Sequence, residues 1–130
     1  MIDASALVEL LLRTGRQEAV EHLFKVADVQ LHVPALCDLE VAAAVRRVLL
    51  RRLITQDHAG RAIDGYLDLP ISRHGHELLL RRILDLRDNF TAYDASYVAL
   101  AEALDAVLVT GDGSFARAVR AHTRLEMLVV

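Results

Sequence analysis

The chain has 130 residues, 54% of them hydrophobic and 25% charged, and its 15 basic and 18 acidic residues give a formal net charge of −3. This length predicts one domain over residues 1–130, and the charge balance excludes the strongly basic proteins that bind nucleic acid non-specifically. No apolar run approaches about 18 residues, so we expect no membrane span. The start MIDASALVELLLR has no basic leader, and the single cysteine, Cys37, cannot form an internal disulfide, so we expect a cytoplasmic protein.

Helical and strand patterns alternate along the chain. The periodicity predicts helices over residues 5–12, 17–26, 36–53, 56–67, 76–86, 91–104 and 114–121. Short apolar or alternating runs predict strands over residues 29–33, 69–71, 106–110 and 126–130, with Met1 and Ile2 ending a further short strand. The helix over 76–86 has Leu78, Leu79, Ile83 and Leu86 as its apolar set. This alternation favours an α/β fold with a mainly parallel sheet covered on both faces, whose functional groups gather beyond the C-terminal ends of the strands.

Four acids are candidates for a shared site: Asp3, Glu40, Asp94 and Asp112. Asp3 and Asp112 come directly after predicted strands. Each acid also has an ordinary structural explanation, because three of them fall at helix N-termini and Glu40 could pair with an arginine further along its helix. If the four converge, two carboxylates about 4 Å apart repel by about 4 kcal/mol at an effective dielectric of 20. Such a cluster would take up protons or bind a hard cation such as Mg²⁺ or Mn²⁺.

Four stretches in chain order resemble one known family. They are MIDASALVELLL, Glu40 in its Ala-rich helix, TAYDASYVALAEAL from Thr91 and AVLVTGDGSFARA from Ala106. Together they resemble a PIN-domain ribonuclease, and most of all the VapC toxins of bacterial type II toxin–antitoxin systems. The resemblance covers essentially the whole chain and implies a three-layer α/β/α PIN-like fold with a central, mainly parallel sheet.

The resemblance also implies the residues of the site. Its catalytic and metal-binding acids match Asp3, Glu40, Asp94 and Asp112, and its supporting hydroxyls match Ser5 and Thr110. Glu40 is matched rather than Asp38, because the Ala-rich face follows Glu40. One departure is that the family usually has more residues before its first aspartate, whereas only Met1 and Ile2 precede Asp3.

The implied activity is that of a Mg²⁺- or Mn²⁺-dependent endoribonuclease, the toxin of a VapBC-type pair, neutralised by a cognate VapB-like antitoxin and pairing as a homodimer. Arg47 and Arg51 share a helix stripe with Glu40 and are the best candidates for RNA contacts, although a solvated helix face is the more frequent explanation for any single arginine. Two alternatives stay open: a non-toxin PIN-type RNA-processing nuclease, or a degenerate PIN domain that binds RNA or protein.

Two other α/β classes with acidic sites fit less well. Haloacid-type phosphatases need a second acid two residues after the first, where this chain has Ser5. Receiver domains need a lysine late in the chain, whereas the only lysine is Lys25.

Overall fold

The computed structural model describes residues 1–13, 15, 17–26 and 28–130. Its helices are α1 (Ala4–Leu12), α2 (Gln17–Lys25), α3 (Cys37–Leu50), α4 (Gln56–Leu67), α5 (Leu80–Asp85), α6 (Ala92–Leu104) and α7 (Gly113–His122). Its strands are β1 (Leu31–Pro34), β2 (Ile71–His74), β3 (Leu108–Thr110) and β4 (Met127–Val129). A 3₁₀ turn, Glu77–Leu79, precedes α5.

The strands form two parallel pairs that the first residues of the chain connect. β1 pairs with β2, and β3 pairs with β4. Between the pairs, Ile2 forms a parallel bridge with Val109, and its N–H donates to the His32 carbonyl at 3.1 Å. The strand expected to end at Ile2 is therefore a single bridging residue, because Asp3 already caps α1. Residues 1–3 thus link the two pairs by lying between β1 and β3.

Helices lie on both sides of these strands. α1 packs with α2, α3 and α4, α6 packs with α5, and both α1 and α6 contact β3. The core between them contains fully buried side chains from each layer: Ile2, Leu7, Val33, Val41, Val98 and Leu108. The α/β fold with parallel strands inferred from the sequence is confirmed. None of the described helices is long and apolar enough to cross a membrane.

Most predicted boundaries hold within two residues, and the larger differences have local causes. The strand predicted over 69–71 begins only at Ile71, because Pro70 has no N–H to donate to a neighbouring strand. The helix predicted to reach residue 53 ends at Leu50, because Arg52 adopts a left-handed conformation with φ of 58°. The N–H of Arg52 then bonds to the Leu49 carbonyl and that of Leu53 to the Val48 carbonyl, which closes the helix.

The helix predicted over 76–86 is divided between the 3₁₀ turn and α5. Leu79 and Leu86 of its predicted apolar set are buried and Ile83 is half-buried, but Leu78 is 98% exposed. Leu78 precedes Leu79 by about 120° of rotation in a turn of three residues, so it points away from the apolar face.

Candidate active site

Asp3 follows Ile2, the residue that bridges to β3, and is the N-cap of α1. Its Oδ1 accepts hydrogen bonds from the Ala6 N–H at 2.9 Å and the Ser5 hydroxyl at 2.7 Å. Its Oδ2 accepts a hydrogen bond from the Thr110 hydroxyl at the end of β3. The residue is only 6% exposed. Burial raises the pKa of Asp3, and these hydrogen bonds oppose that rise because they favour the charged form.

The end of β3 is joined to the start of α1 by the same two hydroxyls. Ser5 Oγ accepts from the Gly111 N–H at 2.8 Å, and Thr110 Oγ1 accepts from the Asp112 N–H at 2.9 Å. A side chain at Gly111 would place its Cβ 3.2 Å from Ser5 Oγ and 3.4 Å from the Ser5 carbonyl carbon. The glycine therefore permits the close approach of these two segments.

Asp112 is the N-cap of α7. Its Oδ1 accepts from the Ser114 N–H at 2.7 Å, the Ser114 hydroxyl at 2.6 Å and the Phe115 N–H at 3.2 Å. These bonds, led by the one from the Ser114 side chain, lower the pKa of Asp112. Capping a helix does not take Asp112 out of the pocket, so the structural explanation and the predicted site role are compatible, as they also are for Asp3.

Asp94 and Glu40 come from α6 and α3. Asp94 is half-buried in the first turn of α6, where Thr91 caps the helix by accepting from the Asp94 N–H at 3.1 Å. Glu40 is half-buried in α3, and its Oε2 accepts from the Tyr97 hydroxyl at 2.5 Å. Burial raises the pKa of Glu40, and the negative charges of Asp3 and Asp94 raise it further. Among the described contacts, Glu40 is therefore paired with Tyr97, and not with an arginine further along α3 as its structural explanation would require.

One pocket brings these side chains together. It is lined by Asp3, Ala4, Ser5, Glu40, Asp94, Tyr97, Asp112 and Phe115. A groove leads from it between α1 and α3, and Arg47 lies in the wall of this groove together with Glu40, Ala43 and Ala44. Arg51 is exposed and is not among the residues that line either the pocket or the groove.

The other acid near the start of α3, Asp38, is held away from this pocket. Its Oδ1 accepts from the Tyr66 hydroxyl at 2.6 Å and from Arg73 Nε at 2.8 Å. The Arg73 guanidinium also lies 4.8 Å from the centre of the Tyr66 ring. Asp38 therefore has a structural partner, whereas Glu40 faces the other acids.

The ligand atoms of the pocket suit a hard divalent cation, but the acidic side chains are not arranged to bind one directly. Within the described part of the chain, no three histidine, cysteine, aspartate or glutamate side chains come close enough to hold an ion directly between them. The pocket nevertheless offers four carboxylates, with no nitrogen or sulfur ligand, and the charges of Asp3 and Asp94 repel that of Glu40. Mg²⁺ usually keeps several of its waters and binds proteins through one or two carboxylates, so such a set suits it.

Two aromatic residues, Tyr97 and Phe115, line the pocket without having been expected there from the sequence. The signal for Tyr97 was its position three residues after Asp94, because residues three apart lie on the same face of a helix. Phe115 lies in the first turn of α7. An aromatic residue at helical spacing is usually part of the core, which is why neither residue stood out.

Comparisons with known proteins point to one family. The family model described as PIN domain matches residues 1–121. The chain is 40% identical to VapC ribonuclease Mb0985 of Mycobacterium bovis over 112 residues, which is 86% of this chain and 84% of that protein. It is 37% identical to Ribonuclease VapC12 of Mycobacterium tuberculosis over 129 residues, 98% of each chain.

A solved structure has the same fold. The crystal structure of PAE2754 from Pyrobaculum aerophilum superposes with a TM-score of 0.63 at 25% identity, and the match covers 97% of this chain and 80% of that one. The three-layer PIN-like fold expected from the resemblance is confirmed by these matches. The chain belongs to the PIN-domain family and, within it, to the VapC ribonucleases.

Proposed function

We propose that the chain, acting as one domain over residues 1–130, is a Mg²⁺- or Mn²⁺-dependent endoribonuclease and the toxin of a VapBC-type pair. The observation that carries this proposal is the pocket in which Asp3, Glu40, Asp94 and Asp112 meet from four separate segments. Like charges are costly to hold together without a counter-charge, and a divalent cation is the simplest one. The family membership makes RNA the substrate to test first.

The four acids are the proposed metal-binding and catalytic residues, acting directly or through water. A bound Mg²⁺ or Mn²⁺ would lower the pKa of a water and stabilise charge on the phosphate. Ser5 and Thr110 each donate a hydroxyl hydrogen bond to Asp3, which orients its carboxylate and favours the ionised form against the effect of burial. Glu40 orients the attacking water, and none of the acids is a covalent nucleophile.

The acidic pocket repels RNA, so basic groups must offset it. Arg47 lies in the groove that continues from the pocket, and it is the better-supported of the two proposed RNA contacts. Arg51, one turn further along α3, is exposed and could contact a longer RNA. Arg73 and Arg82 are engaged elsewhere, by Asp38 and Glu102 respectively.

The proposed protein partners are a VapB-like antitoxin and a second copy of this chain, in the cytoplasm. Leu50 and Leu53, at the end of α3, are 65% and 68% exposed and offer an apolar surface beyond the groove. Leu78, Leu80 and Leu84 form a second exposed apolar set along the 3₁₀ turn and α5. Sedimentation velocity should show a dimer for the chain alone, and coexpression with the antitoxin should suppress RNA cleavage.

The decisive experiment is cleavage of labelled RNA with Mg²⁺, Mn²⁺ or EDTA. We expect cleavage with either metal, loss of cleavage in EDTA, and loss in Asp94→Asn. Asp57→Asn is the matched control, because Asp57 is an exposed first-turn acid of α4 outside the pocket. Cleavage in EDTA, or full activity of Asp94→Asn, would refute the metal mechanism, and RNA binding without cleavage would favour a degenerate PIN domain.

A further inference from the structure

We propose that Tyr97 is a positioning residue of the ribonuclease reaction, which holds the Glu40 carboxylate in the catalytic pocket. This inference rests on the proposed function, because it concerns the same pocket. Tyr97 acts through Glu40 and not on the RNA itself.

The contact joins two helices across the pocket. Tyr97 lies on α6, three residues after Asp94, and Glu40 lies on α3. The tyrosine hydroxyl donates to Glu40 Oε2 at 2.5 Å, and both residues line the pocket. Tyr97 is only 3% exposed, so its ring is fixed by packing and its hydroxyl is presented from one direction.

Glu40 needs such a partner more than the aspartates do. A glutamate has one more rotatable bond than an aspartate, and the charges of Asp3 and Asp94 repel Glu40 from the pocket. Asp3 has hydrogen bonds from Ala6, Ser5 and Thr110, whereas the described side-chain partner of Glu40 is Tyr97 alone. With Oε2 bonded to the tyrosine, Oε1 remains available to a water or a metal ion in the pocket.

The chain contains a matched control for this interaction. Tyr66 is also 3% exposed, and its hydroxyl donates to an acid of the same helix, Asp38, at 2.6 Å. The buried Cys37 interacts with both tyrosines, although the acid bonded to Tyr66 is exposed and the acid bonded to Tyr97 is half-buried. The difference is that Asp38 is held away from the pocket by Arg73. Tyr66→Phe thus removes the same kind of hydrogen bond without touching the site.

The test compares Tyr97→Phe with Tyr66→Phe in metal-dependent RNA cleavage. Partners that orient metal-site ligands typically contribute about 10- to 100-fold to activity, so we expect kcat of Tyr97→Phe to fall by about that factor with KM nearly unchanged. Tyr66→Phe should keep the wild-type kcat. Thermal melting of both variants measures any loss of stability, which separates a positioning effect from a folding defect. Wild-type kcat in Tyr97→Phe, or an equal loss in both variants, would overturn the proposal.

A double-variant cycle gives a second and stricter measurement. If Tyr97 acts through Glu40, the double variant Tyr97→Phe/Glu40→Gln should be no slower than Glu40→Gln alone. Losses that multiply would show that Tyr97 acts independently of Glu40 and would overturn the positioning role. Failure of the wild-type protein to cleave RNA with either metal would instead refute the proposed function. Cleavage that is lost in Asp94→Asn but kept in Tyr97→Phe would refute the positioning role alone.

Discussion

Replacing Thr110 by valine should destabilise the metal-free protein at neutral pH by about 2–3 kcal/mol. Thr110 is fully buried at the end of β3, and valine has nearly the same shape, so the change leaves no cavity. It removes only the hydroxyl, which donates to Asp3 Oδ2 and accepts from the Asp112 N–H at 2.9 Å.

The magnitude follows from these two bonds. A hydrogen bond to a charged group is worth about 1.5–3 kcal/mol, and leaving the Asp112 N–H without its partner costs about 1 kcal/mol more, since water partly replaces it. The added methyl group offsets about 0.8 kcal/mol by its burial. The sum is a net loss of about 2–3 kcal/mol.

The pH dependence tests the cause. The hydrogen bond from Thr110 favours the ionised carboxylate and holds the pKa of Asp3 below the value that burial alone would give. The stability difference between wild type and Thr110→Val is therefore fully present at neutral pH, and it shrinks as the pH falls through the folded-state pKa of Asp3. Urea denaturation in EDTA at several pH values measures both quantities. A difference below about 0.5 kcal/mol at neutral pH, or one that does not change with pH, would refute the reasoning.

Three further predictions concern the same pocket and its surroundings. Burial and neighbouring charges raise the pKa of Glu40, so ionisation of Glu40 lowers the stability of the folded protein as the pH rises. Metal-free Glu40→Gln should therefore be more stable than wild type in urea denaturation at neutral pH and should lose that advantage below about pH 4. Equal stability of the two proteins at every pH would contradict this. Mn²⁺ at about 100 times its dissociation constant should raise the unfolding free energy of the wild type by about 2.7 kcal/mol and that of Asp94→Asn by clearly less. Equal increases for the two proteins in calorimetry would show that the ion binds outside the pocket. Arg47→Gln should weaken RNA binding and should reduce the slope of log binding constant against log salt concentration by about 0.7 for each phosphate that Arg47 neutralises. The control Arg120→Gln, at an exposed residue, should change neither quantity. Identical slopes for Arg47→Gln and wild type would show that Arg47 does not contact RNA.

The sequence by itself determined the order and type of most elements. Period and capping residues located the helices, and Thr55, Thr91 and Asp112 cap α4, α6 and α7 by accepting backbone N–H groups. Such signals are readable because they act within one helical turn. The motifs that carry the family resemblance also lie within single segments, which is why the four acids could be predicted to meet in one pocket.

Only the tertiary structure decided what surrounds each acid. Glu40 and Tyr97 are 57 residues apart, and Thr110 and Asp3 are 107 apart, so no local pattern connects them. Asp38 shows the same dependence. It is an acid of the same helix as Glu40, but its side chain bonds to Tyr66 and to Arg73 of the edge strand β2. Local propensity acts over a few residues, whereas the charge state and orientation of a buried carboxylate depend on groups that only the packed sheet and helices bring within hydrogen-bonding distance.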